Sequence, residues 1–185
     1  MSHQVAVIVG SLRKGSFNRL VAQAIVSLSP PELSYTFVEI GDLPLYDQDL
    51  ETDAPPAAWL RFRKELKAAS AVLFVTPEYN RSVPAALKNA IDVGSRPYGQ
   101  SVYDHKPAAV VSASVGAVGG FGANHHLRQS LVFLNMPTLQ QPELYIGGAG
   151  TLFDEAGKLK NEGTSKLLTT FANTFAAWVS KHAAK

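Results

Sequence analysis

Hydrophobic residues fall along this chain in two alternating patterns: unbroken, mostly β-branched runs, and stretches whose apolar positions lie three and four apart. The first pattern suits parallel strands covered on both faces, and the second suits helices that cross over between them. A first strand is predicted at residues 5–9 (VAVIV). Phe17, Leu20, Val21, Ala24, Ile25 and Leu28 then keep one helical face apolar until Pro30 and Pro31 stop it. Residues 35–40 (YTFVEI) make a second strand. After a loop rich in Asp and Pro, Trp59, Phe62, Leu66 and Ala69 mark a second helix. The third strand is 71–76 (AVLFVT). Pro84 opens the helix that follows, at a position where a missing N–H costs little. Residues 108–114 (AAVVSAS) are a fourth strand, Leu127, Leu131 and Leu134 mark a fourth helix, and 143–147 (ELYIG) a fifth strand. Leu168, Phe171, Phe175 and Trp178 give the closing helix.

Five strands with intervening helices predict an α/β fold, a three-layer α/β/α sandwich around a parallel sheet. Ligands in such sheets bind beyond the carboxyl ends of the strands, near the point where strand order reverses. The loops expected there are also the three of unusual composition: GSLRKGSFN (10–18), PEYNRSVP (77–84) and SASVGAVGGFG (112–122).

Composition narrows the classes. The 185 residues, 46% of them hydrophobic, fit one domain spanning 1–185. A formal charge of +2 with scattered basic residues lacks the footprint of a nucleic-acid binder. With no cysteine there is no disulfide framework, thiolate nucleophile or thiolate metal site. No apolar run has the length of a signal peptide or membrane span, which predicts a cytoplasmic protein.

In the first loop, Ser11, Ser16, Asn18 and free backbone N–H groups stand at a helix N-terminus, which favours an anion, and Arg13 adds a fork for phosphate. Gly10 and Gly15 have P-loop spacing, but Ser16 and Phe17 follow where Lys and Ser or Thr are needed. The G-x-G-x-x-G fingerprint is missing from this turn too. A terminal monophosphate remains; equally, Ser16 simply caps the helix and Arg13 is solvated. In the second loop Pro77, Glu78, Tyr79, Asn80 and Arg81 form a polar and aromatic set without a packing purpose, although Pro and Asn also make plain turns. The glycines of the third loop let a flat ligand approach backbone, or serve a left-handed turn.

GSLRKGSFNR, then PEYNRSVPAALKNAIDV, then SASVGAVGG, in this order, resemble the NADPH-dependent FMN reductase family, close to its bacterial quinone and chromate reductases. The resemblance implies a flavodoxin-like fold with strand order 2-1-3-4-5 and non-covalent FMN. It implies that Ser11, Arg13, Ser16, Phe17 and Asn18 hold the FMN phosphate and that Pro77, Glu78, Tyr79 and Asn80 border the isoalloxazine ring. Ser114 and Gly116 would flank the ring, with Gly119 and Gly120 beyond them. NAD(P)H would be the co-substrate in a two-electron ping-pong transfer to quinones, with side activity on chromate, azo or nitro compounds or free flavin. The backbone N–H groups of residues 78–80 are expected to face the pyrimidine edge, where negative charge grows on reduction. Tyr79 and Arg81 are candidate substrate contacts, and no side chain is needed as an essential acid or base. The family's homodimers and homotetramers suggest contacts through residues 85–93 and 125–133. A flavodoxin-like electron carrier is the alternative, against which stand the lack of strong acidity and of aromatics around the ring.

Other constellations carry less. His125 and His126 are adjacent on a helix and point in different directions, so no shared metal is expected. Glu78 with Asp92 or Asp104 has no reason to pair, and Asp47, Asp49 and Glu51 read as a solvated acidic loop.

Overall fold

Side chains of the first strand, β1 (His3–Val9), divide between two faces of one sheet: Val5, Val7 and Val9 enter one core, Ala6 and Ile8 the other. In this computed structural model, which describes residues 2–183, both faces are covered, and that is why the strand is an unbroken hydrophobic run. The other strands are β2 (Leu33–Phe37), β3 (Ala71–Thr76), β4 (Ala108–Ala113) and β5 (Leu144–Ile146). They form one parallel sheet in the order β2-β1-β3-β4-β5.

Two helices, α1 (Phe17–Leu28) and α5 (Glu162–His182), cover one face through Val21, Ile25, Leu168, Phe171 and Phe175. The other face is covered by α2 (Ala57–Ala68), α3 (Ala85–Gly94) and α4 (Phe121–Phe133), through Trp59, Phe62, Leu87, Leu127 and others. Each of these fully buried side chains contributes about 1.5–3 kcal/mol of transfer free energy. Among the described residues no helix is long and apolar enough to cross a membrane.

β2 begins and ends earlier than predicted. Its register runs from His3↔Leu33 to Val7↔Phe37; Val38 adds one hydrogen bond to the Val7 carbonyl (2.9 Å), after which the chain turns off the sheet edge. Glu39 and Ile40 therefore lie in a loop. The acidic loop also differs. Glu51 is not solvated but pairs with Arg63, whose Nε donates to the Val93 carbonyl (2.9 Å) and whose guanidinium lies over the Trp59 ring. Asp47 caps a short 3-10 turn by accepting from the Asp49 N–H.

Strand order reverses between β1 and β3, the neighbours at the middle of the sheet. Gly10 carries their pairing one residue further, donating to the Val75 carbonyl at 2.8 Å. The loops after β1 and β3 therefore leave the sheet side by side.

Candidate functional site

The loop after β1 is built to offer donors. From Ser11 to Asn18 no backbone N–H makes a close hydrogen bond to a backbone carbonyl among the described residues, although the chain turns at Lys14 and Gly15. These groups precede and open α1, where they and the helix dipole favour a phosphate. Ser16 is the N-cap: its Oγ accepts from the Arg19 N–H at 3.2 Å, as the capping alternative requires. Capping satisfies one donor and leaves the others open. Ser11 and Ser16 are buried, whereas Arg13 and Lys14 are exposed and form no ion pair among the described residues.

Asn18 connects this loop to the end of β4. Its Nδ2 donates to the Ala113 carbonyl at 3.1 Å, while its Oδ1 is buried without any partner. An acceptor left open beside a cluster of open donors suits a ligand carrying both phosphate and hydroxyls, as the phosphoribityl chain of FMN does.

The loop after β3 makes a tight reversal. Tyr79 and Ser82 exchange backbone hydrogen bonds (3.1 and 2.9 Å), and the residues between them, Asn80 and Arg81, are left-handed with φ of 50° and 61°. Non-glycine residues rarely take this conformation. One expectation needs correcting here: the Tyr79 N–H closes the turn, so of residues 78–80 only Glu78 and Asn80 keep an N–H without a backbone partner. The Tyr79 side chain is 51% exposed, and Asn80 and Arg81 are exposed beside it.

Glu78 also has a packing purpose that the sequence did not show. Its Oε2 accepts from the Ala123 N–H at 3.0 Å, at the start of α4. Neither Asp92, paired with Lys88, nor Asp104, bonded to Asn135, is its partner.

The loop after β4 is held by β5 and its extension. Ser114 donates to the Ile146 carbonyl (2.9 Å), accepts from Ala149 (3.0 Å), and uses its Oγ to accept from the Gly116 N–H (3.1 Å). Packing alone requires glycine at position 119. Its φ is 64°, and a Cβ would stand 2.5 Å from the Tyr145 carbonyl carbon. Gly120, also left-handed, is the N-cap of α4.

A fourth loop packs against these. A Cβ on Gly150 would lie 3.7 Å from the Phe17 ring and 3.8 Å from Val115, so the segment after β5 brings the first loop and the β4 loop together. Its glycine-rich run, GGAG at 147–150, is the sequence signal that would have found it.

The structure thus gathers Ser11, Ser16, Phe17, Asn18, Ser114 and Gly116 at the ends of β1 and β4, with Pro77, Glu78, Tyr79 and Asn80 after β3 between them. Ser11 and Arg13 both line a cleft of about 390 Å³ on the β2 side of the first loop, with Lys14, Arg19, Phe37 and Glu39, so this cleft adjoins the gathered residues. Exposed Val115, Val118 and Phe121 rim the gathered loops.

Histidines 125 and 126 diverge as the helical geometry predicts: His125 Nε2 meets the Tyr145 hydroxyl and His126 Nδ1 meets Ser82 Oγ, both at 3.0 Å. The Phe121, His125 and Tyr145 rings cluster. Burial, and then the Glu143 carboxylate, push the Tyr145 phenol up to about 12.

Residues 3–151 match the family model described as NADPH-dependent FMN reductase. The chain is 64% identical over 177 residues to a quinone reductase of Pseudomonas putida, covering 96% of this chain and 95% of that one. It is 47% identical over 179 residues to a 2-hydroxy-1,4-benzoquinone reductase of a Burkholderia species, covering 97% of each. The fold superposes with a TM-score of 0.92 on FerB, a flavoenzyme NAD(P)H:(acceptor) oxidoreductase from Paracoccus denitrificans. That match has 40% identity and covers 98% of this chain and 100% of the other.

Proposed function

The chain belongs to the NADPH-dependent FMN reductase family, and from that premise we propose that it is an FMN-dependent NAD(P)H:quinone oxidoreductase. The observation that carries this reading is the row of open backbone donors from Ser11 to Asn18 beside the orphaned Asn18 Oδ1. Bound FMN supplies hydride chemistry: a hydride comes from NAD(P)H, and a quinone receives two electrons and two protons, the second proton from solvent, leaving as the hydroquinone. The protein's residues bind and orient. Ser11, Ser16, Phe17, Asn18 and the loop N–H groups hold the phosphoribityl end, with Arg13 reaching the phosphate from the loop's exposed side. Pro77 and the Glu78–Asn80 backbone border the ring, and the free Glu78 and Asn80 N–H groups supply the fixed donors that favour added negative charge. Ser114 and Gly116 flank the ring from the opposite loop. Tyr79 and Arg81, both exposed, would meet whichever substrate occupies the open face.

Quinones as acceptors follow from the P. putida and Burkholderia relatives. Chromate, azo and nitro compounds and free flavin are side acceptors at the same open face. A single domain in the cytoplasm, with NAD(P)H at hand, completes the reading. A homodimer or homotetramer would cover Val132 and Phe133, both exposed on α4, and the apolar rim at Val115, Val118 and Phe121. The exposed face of α3, with its Lys88–Asp92 pair, would be the polar side of that contact.

The test is the visible spectrum of purified protein supplied with FMN, then with NADPH under anaerobic conditions, then with a benzoquinone. Bleaching by NADPH and recovery with quinone is the expected result. A flavin indifferent to both nicotinamides would favour an electron carrier instead, and a protein that takes no FMN would overturn the reading.

A further inference from the structure

We propose that α4 holds the turn at the ring edge in place from both ends, with Glu78 as the positioning residue. The inference rests on the flavin reading of the site.

Helix α4 starts without a cap of its own. Its N-cap is Gly120, which has no side chain to offer, and the first turn contains no acidic residue. The Ala123 N–H occupies the place that an N-cap side chain normally serves. Here the Glu78 carboxylate serves it, arriving from the loop after β3 at 3.0 Å, so that its charge faces the positive end of a 13-residue helix. Bare Gly122 permits the approach: a Cβ there would stand 2.9 Å from Glu78 Oε2 and 2.8 Å from the Arg81 carbonyl oxygen.

The turn between Tyr79 and Ser82 is short and strained at Asn80 and Arg81, so its position follows from whatever holds its ends. Glu78, just before it, is tied to Ala123. Ser82, at its end, has its Oγ 3.0 Å from His126 Nδ1. Ala123 and His126 are three residues apart, on the same face of α4. One helical turn thus grips both ends of the segment that carries the Asn80 N–H and the Tyr79 ring. A carboxylate so engaged presents its charge to the helix rather than to a flavin, which would resist an added negative charge nearby.

The experiment compares Glu78→Ala and Glu78→Gln with the FMN-loaded wild type by the rate of flavin reduction by NADPH per bound flavin. FMN affinity and amide exchange at Ala123 in the flavin-free protein are measured alongside. Losing the grip should slow reduction on the order of tenfold to a hundredfold in Glu78→Ala, the scale of a small misplacement in a reacting pair. FMN affinity should fall and the Ala123 amide should exchange faster. Glu78→Gln, whose amide oxygen still accepts the Ala123 N–H, should recover most of each. A Glu78→Ala protein that exchanges faster but reduces its bound flavin at the wild-type rate would make Glu78 a helix cap only and overturn the proposal. Should Glu78→Ala fail to fold, Ser82→Ala releases the other end: slowed reduction per bound flavin supports the grip and an unchanged rate overturns it. A wild type that takes no FMN overturns the site reading itself, and that shows in the control before any variant is compared.

Discussion

Asn18, in the first turn of α1, donates its amide hydrogen to the carbonyl of Ala113, the last residue of β4, at 3.1 Å. A residue expected at the phosphate thereby also fixes the distance between two loops that the sequence separates widely. Asn18→Ala leaves the Ala113 carbonyl without this donor but also removes the orphaned Oδ1, so it should cost the flavin-free protein no more than about 1 kcal/mol while weakening FMN. Asn18→Asp, which adds a negative charge beside a phosphate, should weaken FMN further. Urea unfolding and flavin-fluorescence titration measure the two effects separately, and a variant that loses stability with unchanged FMN affinity would reduce Asn18 to a strut.

Arg13 is exposed and has no salt-bridge partner among the described residues. If its guanidinium closes on the phosphate, Arg13→Ala should weaken FMN by about 1.5–3 kcal/mol, the scale of a charge-assisted hydrogen bond. Unchanged affinity would assign Arg13 to the cleft it shares with Lys14 and Arg19.

Tyr79→Ala should lower turnover more than flavin retention, because the residue is half exposed and lies in the loop after β3 rather than in the loop assigned to the phosphate. Arg81→Gly tests the same turn differently. Glycine relieves a left-handed residue, a strain of about 1–2 kcal/mol that the greater freedom of glycine in the unfolded chain largely offsets. Thermal stability should therefore stay near wild type while the KM for anionic substrates rises; an unchanged KM would place Arg81 outside the substrate path.

Tyr145 contributes to a loss of stability at alkaline pH. In the folded chain its phenol is pushed up to about 12 from the ordinary value of 10, chiefly by burial. Below pH 10 the phenol is protonated in folded and unfolded chains alike, and its contribution is fully present. As pH climbs from 10 toward 12 the unfolded chain ionises first, and that contribution is lost. The buried Tyr103, also raised, works in the same direction. Tyr145→Phe should flatten the fall in stability above pH 10, as measured by urea midpoints across that range; a slope identical to wild type would refute the assignment.

Strand and helix positions were readable because each buried face imposes its own period: β3 falls where AVLFVT runs, and Trp59, Phe62 and Leu66 point inward from α2. The edge strand β2 was harder to place, because the hydrophobic residues Val38 and Ile40 continue past the last paired residue into buried loop positions. In the site, residue types announced the three loops. The direction of each group stayed hidden. Nothing local tells Glu78 that its partner is a backbone N–H 45 residues away, or Tyr79 that its own N–H is spent on Ser82. The glycines of 116–120 suggested access for a flat ligand, whereas Gly119 answers to the backbone of β5, a long-range demand without a local signature.

Ser16 caps the start of α1 with its own side chain. The helix that would receive a phosphate thus has its first turn secured before any ligand arrives, and the core beneath it, from Val21 to Phe175, makes no use of one. Folding and loading are then separable events. Flavin-free protein should then unfold as one cooperative unit and take up FMN after it has folded.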